Sequence, residues 1–446
     1  MTDLASLTHA LLEAAQKAGA DAADALAVEG TSMSIDIRQG KLEQAERAEG
    51  IELGLRVLIG GRQACVSVSD TSARTLADVA ERAVAMAREA PNDPYAGLAD
   101  PDQIARGWDL AAFDLVEDAA EPSARALEEA ARAVEAAAMS VPGIRQVEAS
   151  AGYAQRRMFL AATNGFAGGY ARSSHSNSAV AFTGEGTGME RDYAGESRIY
   201  AADMPSPDSI GQLAAERALA RAGARKPRTG SFPVLFDERI AQSLIGHLLS
   251  AINGASIARG SSWLRDALGQ QVLPKGLSVI EDPHRPRVPG SRPFDGEGLP
   301  TQRRVIVENG ILTGWTLDLA TGRKLGMPST ANAARGTSAP PSPATSNIDL
   351  TPGTATRKQL IGQMGTGLLV TSMIGSTINP TTGDYSRGAA GFWVEDGEIT
   401  YPVNECTIAG NLRDMLLSMI AANDARAHLS TRVPSLLVEG MTLAGA

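Results

Sequence analysis

The stretch between Met33 and Val68 constrains this chain more than any other. Met33, Ile35 and Ile37 alternate with Ser34 and Asp36, and Gln39-Gly40-Lys41 supplies a turn. Ile51, Leu53, Leu55 and Val57 then alternate again, and Gly60-Gly61 leads into Ala64, Val66 and Val68. A period of two punctuated by glycine turns dictates an antiparallel meander with one apolar face. Such a face must be covered, and the flanks supply the cover. Leu4, Leu7, Leu11, Ala14, Ala15 and Ala18 recur at helical spacing between Asp3, a candidate N-cap, and Gly19. Leu76, Val79, Ala80, Ala83, Val84 and Ala87 do the same ahead of Pro91-Asn92-Asp93-Pro94. Residues 1–115 therefore read as an N-terminal α+β domain.

The pattern then repeats. A helix over residues 123–139, with Leu127, Ala131, Val134 and Ala138 on one face, stops at Val141-Pro142-Gly143. Strands follow over 144–151, 157–163, 169–175 and 179–184, with Asn164-Gly165 as a hairpin turn, and a helix over 210–222 closes the unit. Residues 116–228 read as a middle α+β domain, and the basic run at its end, with Arg225, Lys226 and Arg228, reads as a solvated linker. Beyond Phe232 come one helix and then short strands between many Gly and Pro residues, with long loops over 282–300 and 329–350. Residues 229–446 read as a β-rich C-terminal domain, and the fold class is α+β with three domains.

Composition excludes several functions. Only 8 Phe, 7 Tyr and 4 Trp occur in 446 residues, too few for a broad base-stacking platform. With 41 basic against 51 acidic residues the net charge is -10, which repels a polyphosphate, so nucleic acid is not an expected partner. No run of 18 apolar residues is present, so no membrane span is expected. The opening MTDLASLTHALLEAAQKAGA lacks the basic and apolar regions of a signal peptide. Cys65 and Cys406 make neither a disulfide framework nor a CxxC pair, which fits a reducing cytoplasm. The chain has no GxxxxGK[ST] loop, no GxSxG elbow, no HExxH helix and no GxGxxG between a strand and a helix. His9, His175, His247, His284 and His428 lie far apart.

The helix expected over 237–253 is the most informative segment. At 100° per residue Ile240, Leu244, His247, Leu248 and Ala251 share one face, so His247 points at apolar neighbours. A core or interface histidine satisfied by one hydrogen bond is the plainer reading; a metal role needs further ligands.

Three longer stretches carry a resemblance: GIELGLRVLIGGRQACVSVSD (50–70), PFDGEGLPTQRRVIVENGILTGWTLDLATGRKLGMPSTANAARG (293–336) and INPTTGDYSRGAAGFWVEDGEITYPVNECTIAGNL (378–412). In this order and spacing the chain resembles the TldD/PmbA family along essentially its whole length, most closely the PmbA (TldE) branch. The resemblance implies three domains, the last barrel-like, and a cytoplasmic heteromeric assembly with a TldD-like metallopeptidase subunit that cleaves unfolded or leader peptides. In the TldD branch it implies a zinc held by an HExxxH helix and a C-terminal Cys, with the Glu as general base. Laid on that motif this chain reads QSLIGH: Gln242 and Ser243 replace His and Glu, and only His247 matches. An amide is a poor zinc ligand, and a hydroxyl cannot act as the carboxylate base does. The implied picture is a chain with no metal, no cofactor and no catalytic residue of its own, with zinc on the TldD-type partner and the isolated chain inactive. It would serve peptide binding and assembly, as a heteromer or, without the partner, as a homodimer. Positions five apart on a helix also lie about 140° from one another, so without a metal to hold, this helix is expected to be regular. The loop Asp295-Gly296-Glu297-Gly298 admits two readings, tight backbone geometry with capping carboxylates or a wall of the peptide channel. The alternative function is a regulatory or peptide-binding protein without proteolysis.

Overall fold

The computed structural model describes residues 3–445. Helix α1 (Leu4–Ala18) starts at Asp3, whose carboxylate accepts from the Ala5 and Ser6 amides, and ends at Gly19 in the left-handed region. The meander follows as β1 (Ala22–Arg38), β2 (Lys41–Ile59) and β3 (Arg62–Val68), and α2 (Ala73–Glu89) covers it. α3 (Ala124–Met139) leads into β4 (Ile144–Ala162), β5 (Ala167–Thr183) and β6 (Glu190–Arg198), and α4 (Pro207–Ala220) completes the unit.

All six strands form one antiparallel sheet in the order β3-β2-β1-β4-β5-β6. β1 pairs with β4 from Asp24 opposite Ala162 to Arg38 opposite Glu148, so the sheet runs without a break from the first segment into the second. The period of two decides what each face meets. Ala23, Ala25 and Ala27 of β1 pack with α1 and α2, while Met33, Ile35 and Ile37 pack with Leu127 and Ala131 of α3. Asp24, Leu26 and Val28, the alternate residues, face the C-terminal part of the chain instead. Two expected features differ. β2 begins at Lys41, well before the apolar alternation, because pairing to β1 holds residues 41–50 extended although every one of them is exposed. The two strands read over 144–151 and 157–163 are one continuous strand, since β1 and β5 pair with it on both edges.

The C-terminal region is built on β7 (Gly230–Phe236) and the strands Gly367–Ile378, Asp384–Glu395, Glu398–Asn411 and Leu436–Ala444. Neighbouring strands pair in that ring, and pairing of Glu398–Asn411 with Leu436–Ala444 closes a five-stranded barrel. Val234 and Phe236 of β7 pack with α5 (Glu238–Ala251), and Leu235 between them packs with the helix Arg357–Met364. The basic run at 222–230 is not a free connector. The Arg225 amide donates to the Pro402 carbonyl, its guanidinium lies 3.7 Å from the Tyr401 ring centroid, and Arg228 pairs with Glu395 at 2.7 Å. Buried ion pairs join β6 to α5: Arg239 reaches Asp192 at 3.1 Å and Asp237 at 3.1 Å.

The sheet and the C-terminal region meet closely at Gly54, where an added Cβ would lie 2.2 Å from the Thr337 carbonyl oxygen. Gly50, four residues earlier on the same strand, has nothing within 4 Å. Gly54→Ala should therefore destabilise by about 1–3 kcal/mol through backbone displacement, and Gly50→Ala by less than about 0.5 kcal/mol. Paired denaturation curves check this; equal midpoints for the two variants would contradict the docking described.

Candidate functional site

Asp237 caps α5 by accepting from the Arg239 amide, and the helix runs as continuous α from Glu238 to Ala251. Ala241, Leu244, Ile245, Leu248 and Ala251 form its buried face. The three positions singled out on the sequence point to different surroundings. Gln242 is exposed. Ser243 is half-buried, and its hydroxyl donates to the Ile240 carbonyl at 2.7 Å, one turn back. His247 is half-buried, its ring edge-on to Tyr385 with centroids 5.8 Å apart. Its Nε2 is buried and among the described residues has no hydrogen-bond partner, unlike the satisfied core histidine the sequence suggests. Burial, aided by the Arg387 guanidinium, holds the His247 pKa below the usual imidazole range, so the ring is neutral at neutral pH.

These donors do not fit zinc, which needs several N, S or O atoms converging near 2 Å. An exposed amide, a hydroxyl committed to the backbone and one lone imidazole do not converge. Among the described residues no three His, Cys, Asp or Glu side chains are grouped as a metal would require. Cys406 lies buried on the barrel strand Glu398–Asn411, its thiol donating to the Ala389 carbonyl and its pKa pushed up to about 11 by burial. It is an inert thiol. The other histidines are dispersed: His175 meets Glu117 at 2.6 Å, His428 meets Glu196 at 3.1 Å, His284 meets Thr301 at 3.1 Å, and His9 packs edge-on to Phe159.

The acidic loop turns its carboxylates inward. Asp295 Oδ1 accepts from the Glu297 and Leu299 amides, both at 2.9 Å, and Oδ2 accepts from the Ala333 amide at 3.0 Å. Glu297 accepts from the Leu319 amide at 2.8 Å, at the start of the helix Leu319–Leu325. Gly298 has φ +81°, and a Cβ there would lie 2.6 Å from the Phe166 ring. Gly296 donates to the Ala333 carbonyl and leaves room for Arg335. The two carboxylates thus tie the loop to residues 319 and 333 and face no open surface; Asp295 is 2% and Glu297 8% exposed.

Burial raises the Asp295 pKa against the pull of its three amide donors. Glu297 is pushed up to about 8, first by burial and then by the neighbouring Asp295 carboxylate. The folded chain thus holds a proton on Glu297 that the unfolded chain releases near 4.5. That stabilisation is complete below the unfolded value and is lost as pH rises towards 8, with a slope of at most about 1.4 kcal/mol per pH unit. Glu297→Gln should remove this part of the slope, so the variant gains on the natural chain between about pH 5 and 8. Parallel pH-dependent denaturation curves for the two chains would contradict the assignment.

Comparison with known proteins agrees with the α+β architecture described above. Models of PmbA/TldA metallopeptidase domain 1, the central domain and the C-terminal domain match residues 23–87, 107–222 and 229–445. Metalloprotease PmbA of Escherichia coli O157:H7 is 37% identical over 427 residues, 95% of this chain and 92% of its own length. The PmbA homolog of Haemophilus influenzae is 36% identical over 448 residues, 97% of this chain and 94% of its own. A Bacteroides thetaiotaomicron crystal structure described as a putative modulator of DNA gyrase superposes with a TM-score of 0.91 at 28% identity, covering 99% of this chain and 98% of its own. TldE from Thermococcus kodakarensis shares the fold, with a TM-score of 0.84 at 18% identity over 98% of this chain and 99% of its own. With all three domain models matched in order and relatives aligned along nearly the full length, this chain belongs to the PmbA/TldD metallopeptidase family.

Proposed function

We propose that this chain is a TldE-type subunit of a heteromeric zinc metallopeptidase that cleaves unfolded or leader peptides, and that it contributes peptide binding and assembly rather than the metal. One observation carries the reading: the chain keeps the three-domain architecture, yet the residues at the metal-helix positions offer no convergent donor set. Relatives named metalloproteases share this architecture, and the tension is resolved if a TldD-type partner holds the zinc. A soluble assembly is consistent with the described helices, none of which is long and apolar enough to cross a membrane.

The exposed stretch of β2 over residues 41–50 supports a role in assembly or peptide contact. β3 pairs with β2 only from Leu53 onward, so among the described residues no strand pairs with the outer edge of this stretch. An extended peptide can add to such an edge by main-chain hydrogen bonds, which select for unfolded chains more than for side-chain sequence.

The test is a peptidase assay on the chain alone, a TldD-type partner alone and the two together, with an unstructured peptide and a folded protein as substrates. Cleavage of the peptide only by the mixture, with the folded protein spared, is the expected result. Chelator-sensitive cleavage by this chain alone, abolished by His247→Ala, would overturn the reading.

A further inference from the structure

β4 and β5 set two arginines directly opposite each other. The three-residue loop over 163–165, closed by the Ala162 amide donating to the Phe166 carbonyl, sets the hairpin register so that Arg156 pairs with Arg172 and, closer to the turn, Met158 pairs with Tyr170. Like charges in a direct cross-strand pair repel. The opposite face of the same sheet avoids this, because Arg157 of β4 lies across from Glu29 of β1 as an ion pair. On the arginine face a third guanidinium arrives from the C-terminal region. Arg335, with a side chain only 1% exposed, joins Arg156, Arg172, Tyr170, Met158, Leu26 and Val28 around a cavity of about 170 Å³. Arg156 is exposed and sets the mouth of the cavity at the surface.

The charges here do not balance. Arg335 reaches Asp24, but Arg56 pairs with the same carboxylate at 2.5 Å, so the two guanidiniums share one ion-pair partner. Arg335 Nη2 is buried with no acceptor among the described residues. Arg172 donates to the Ser291 carbonyl at 2.5 Å and stands 5.0 Å from the Tyr170 ring centroid, while its Nε is also buried with no acceptor. Among the described residues no carboxylate pairs with Arg156 or Arg172. Buried guanidinium N–H groups without acceptors are costly, and a bound anion is the direct remedy.

We infer that this cavity is a subsite for a peptide carboxylate, gripped by Arg172 and Arg335 and screened at the rim by Arg156. Guanidinium groups present forked donors that match a carboxylate. Leu26, Val28 and Met158 offer the apolar wall that an adjoining side chain would cover. The volume equals roughly five or six waters, enough for one carboxylate-bearing group and too little for a nucleotide. This inference rests on the peptide-handling reading above and adds a polar anchor to the backbone grip. The carboxylate is either the peptide's C-terminus or an Asp or Glu side chain, since the chemistry is the same.

The experiment uses the full chain and fluorescence anisotropy with three versions of one labelled, unstructured Ala/Ser/Leu peptide: the free acid, the C-terminal amide, and the amide with one internal Glu. The free acid or the Glu-bearing amide is expected to bind at least about tenfold more tightly than the neutral amide, and whichever does so identifies the source. Arg172→Gln should abolish the preference. Arg156→Gln, at the exposed rim, should narrow it to about threefold or less with a melting temperature unchanged or slightly raised, and decides the matter if the buried variant fails to fold. Equal binding of all three peptides would overturn the subsite while leaving the peptide reading intact. Binding of none would overturn both, and a preference fully retained in folded Arg156→Gln and Arg172→Gln would overturn the assignment of these arginines.

Discussion

One buried carboxylate, Asp24, holds the two halves of this molecule together. It lies on the face of β1 turned away from the covering helices, opposite Arg56 in the β1–β2 register, and Arg335 of the C-terminal region reaches it from the other side. Both guanidiniums are nearly inaccessible, so removing the carboxylate would leave two buried charges without their ion-pair partner, a loss of the order of 3–5 kcal/mol. Around this contact the fit becomes close. Phe294 enters an aromatic cluster of Trp108, Phe166 and Tyr170 with centroids 4.9–5.5 Å away. Arg323 donates to the carbonyls of Tyr95 and Leu98. The arginine cavity exists only because the sheet is docked here, and Gly298 of the acidic loop packs against Phe166 of the sheet.

The division of labour in the fold follows from which side chains this docking and the barrel core consume. Ala241, Leu244, Ile245, Leu248 and Ala251 give α5 its apolar anchor, and Phe236, Tyr385 and Trp393 are the largest fully buried residues beside it. The positions that could carry metal chemistry are left one exposed, one bonded to its own helix and one lodged against Tyr385. Asp295 and Glu297 are taken up by backbone amides. The open strand edge over residues 41–50 and the cationic cavity are the features on which the proposed holding of a peptide rests.

Much of this was legible in the sequence because the periodicities are strong and the caps are conventional. Asp3 and Gly19 bound α1 as their chemistry demands, Asp237 opens α5, and the alternation from Met33 to Val68 lies in adjacent strands. Residues 41–50 were not legible as strand, because pairing to β1 rather than apolar alternation keeps them extended. The barrel was visible only through the family resemblance, since its closure depends on pairing between residues 407–409 and 442–444, which no local pattern encodes. The unmet Nε2 of His247 could not be anticipated, as it depends on where Tyr385 packs. The arginine pair was within reach only to one residue: a two-residue Asn164-Gly165 turn predicts Arg157 against Arg172, and the three-residue loop closed by Ala162 and Phe166 moves the partner to Arg156. Arg335, more than 150 residues away, was not.

Zinc stoichiometry tests most directly the proposal that this chain holds no metal of its own. The purified chain, equilibrated with micromolar zinc and then gel-filtered, should retain well under one zinc per chain by elemental analysis, with no dependence on His247. One zinc per chain, lost in His247→Ala while the fold is kept, would contradict the account.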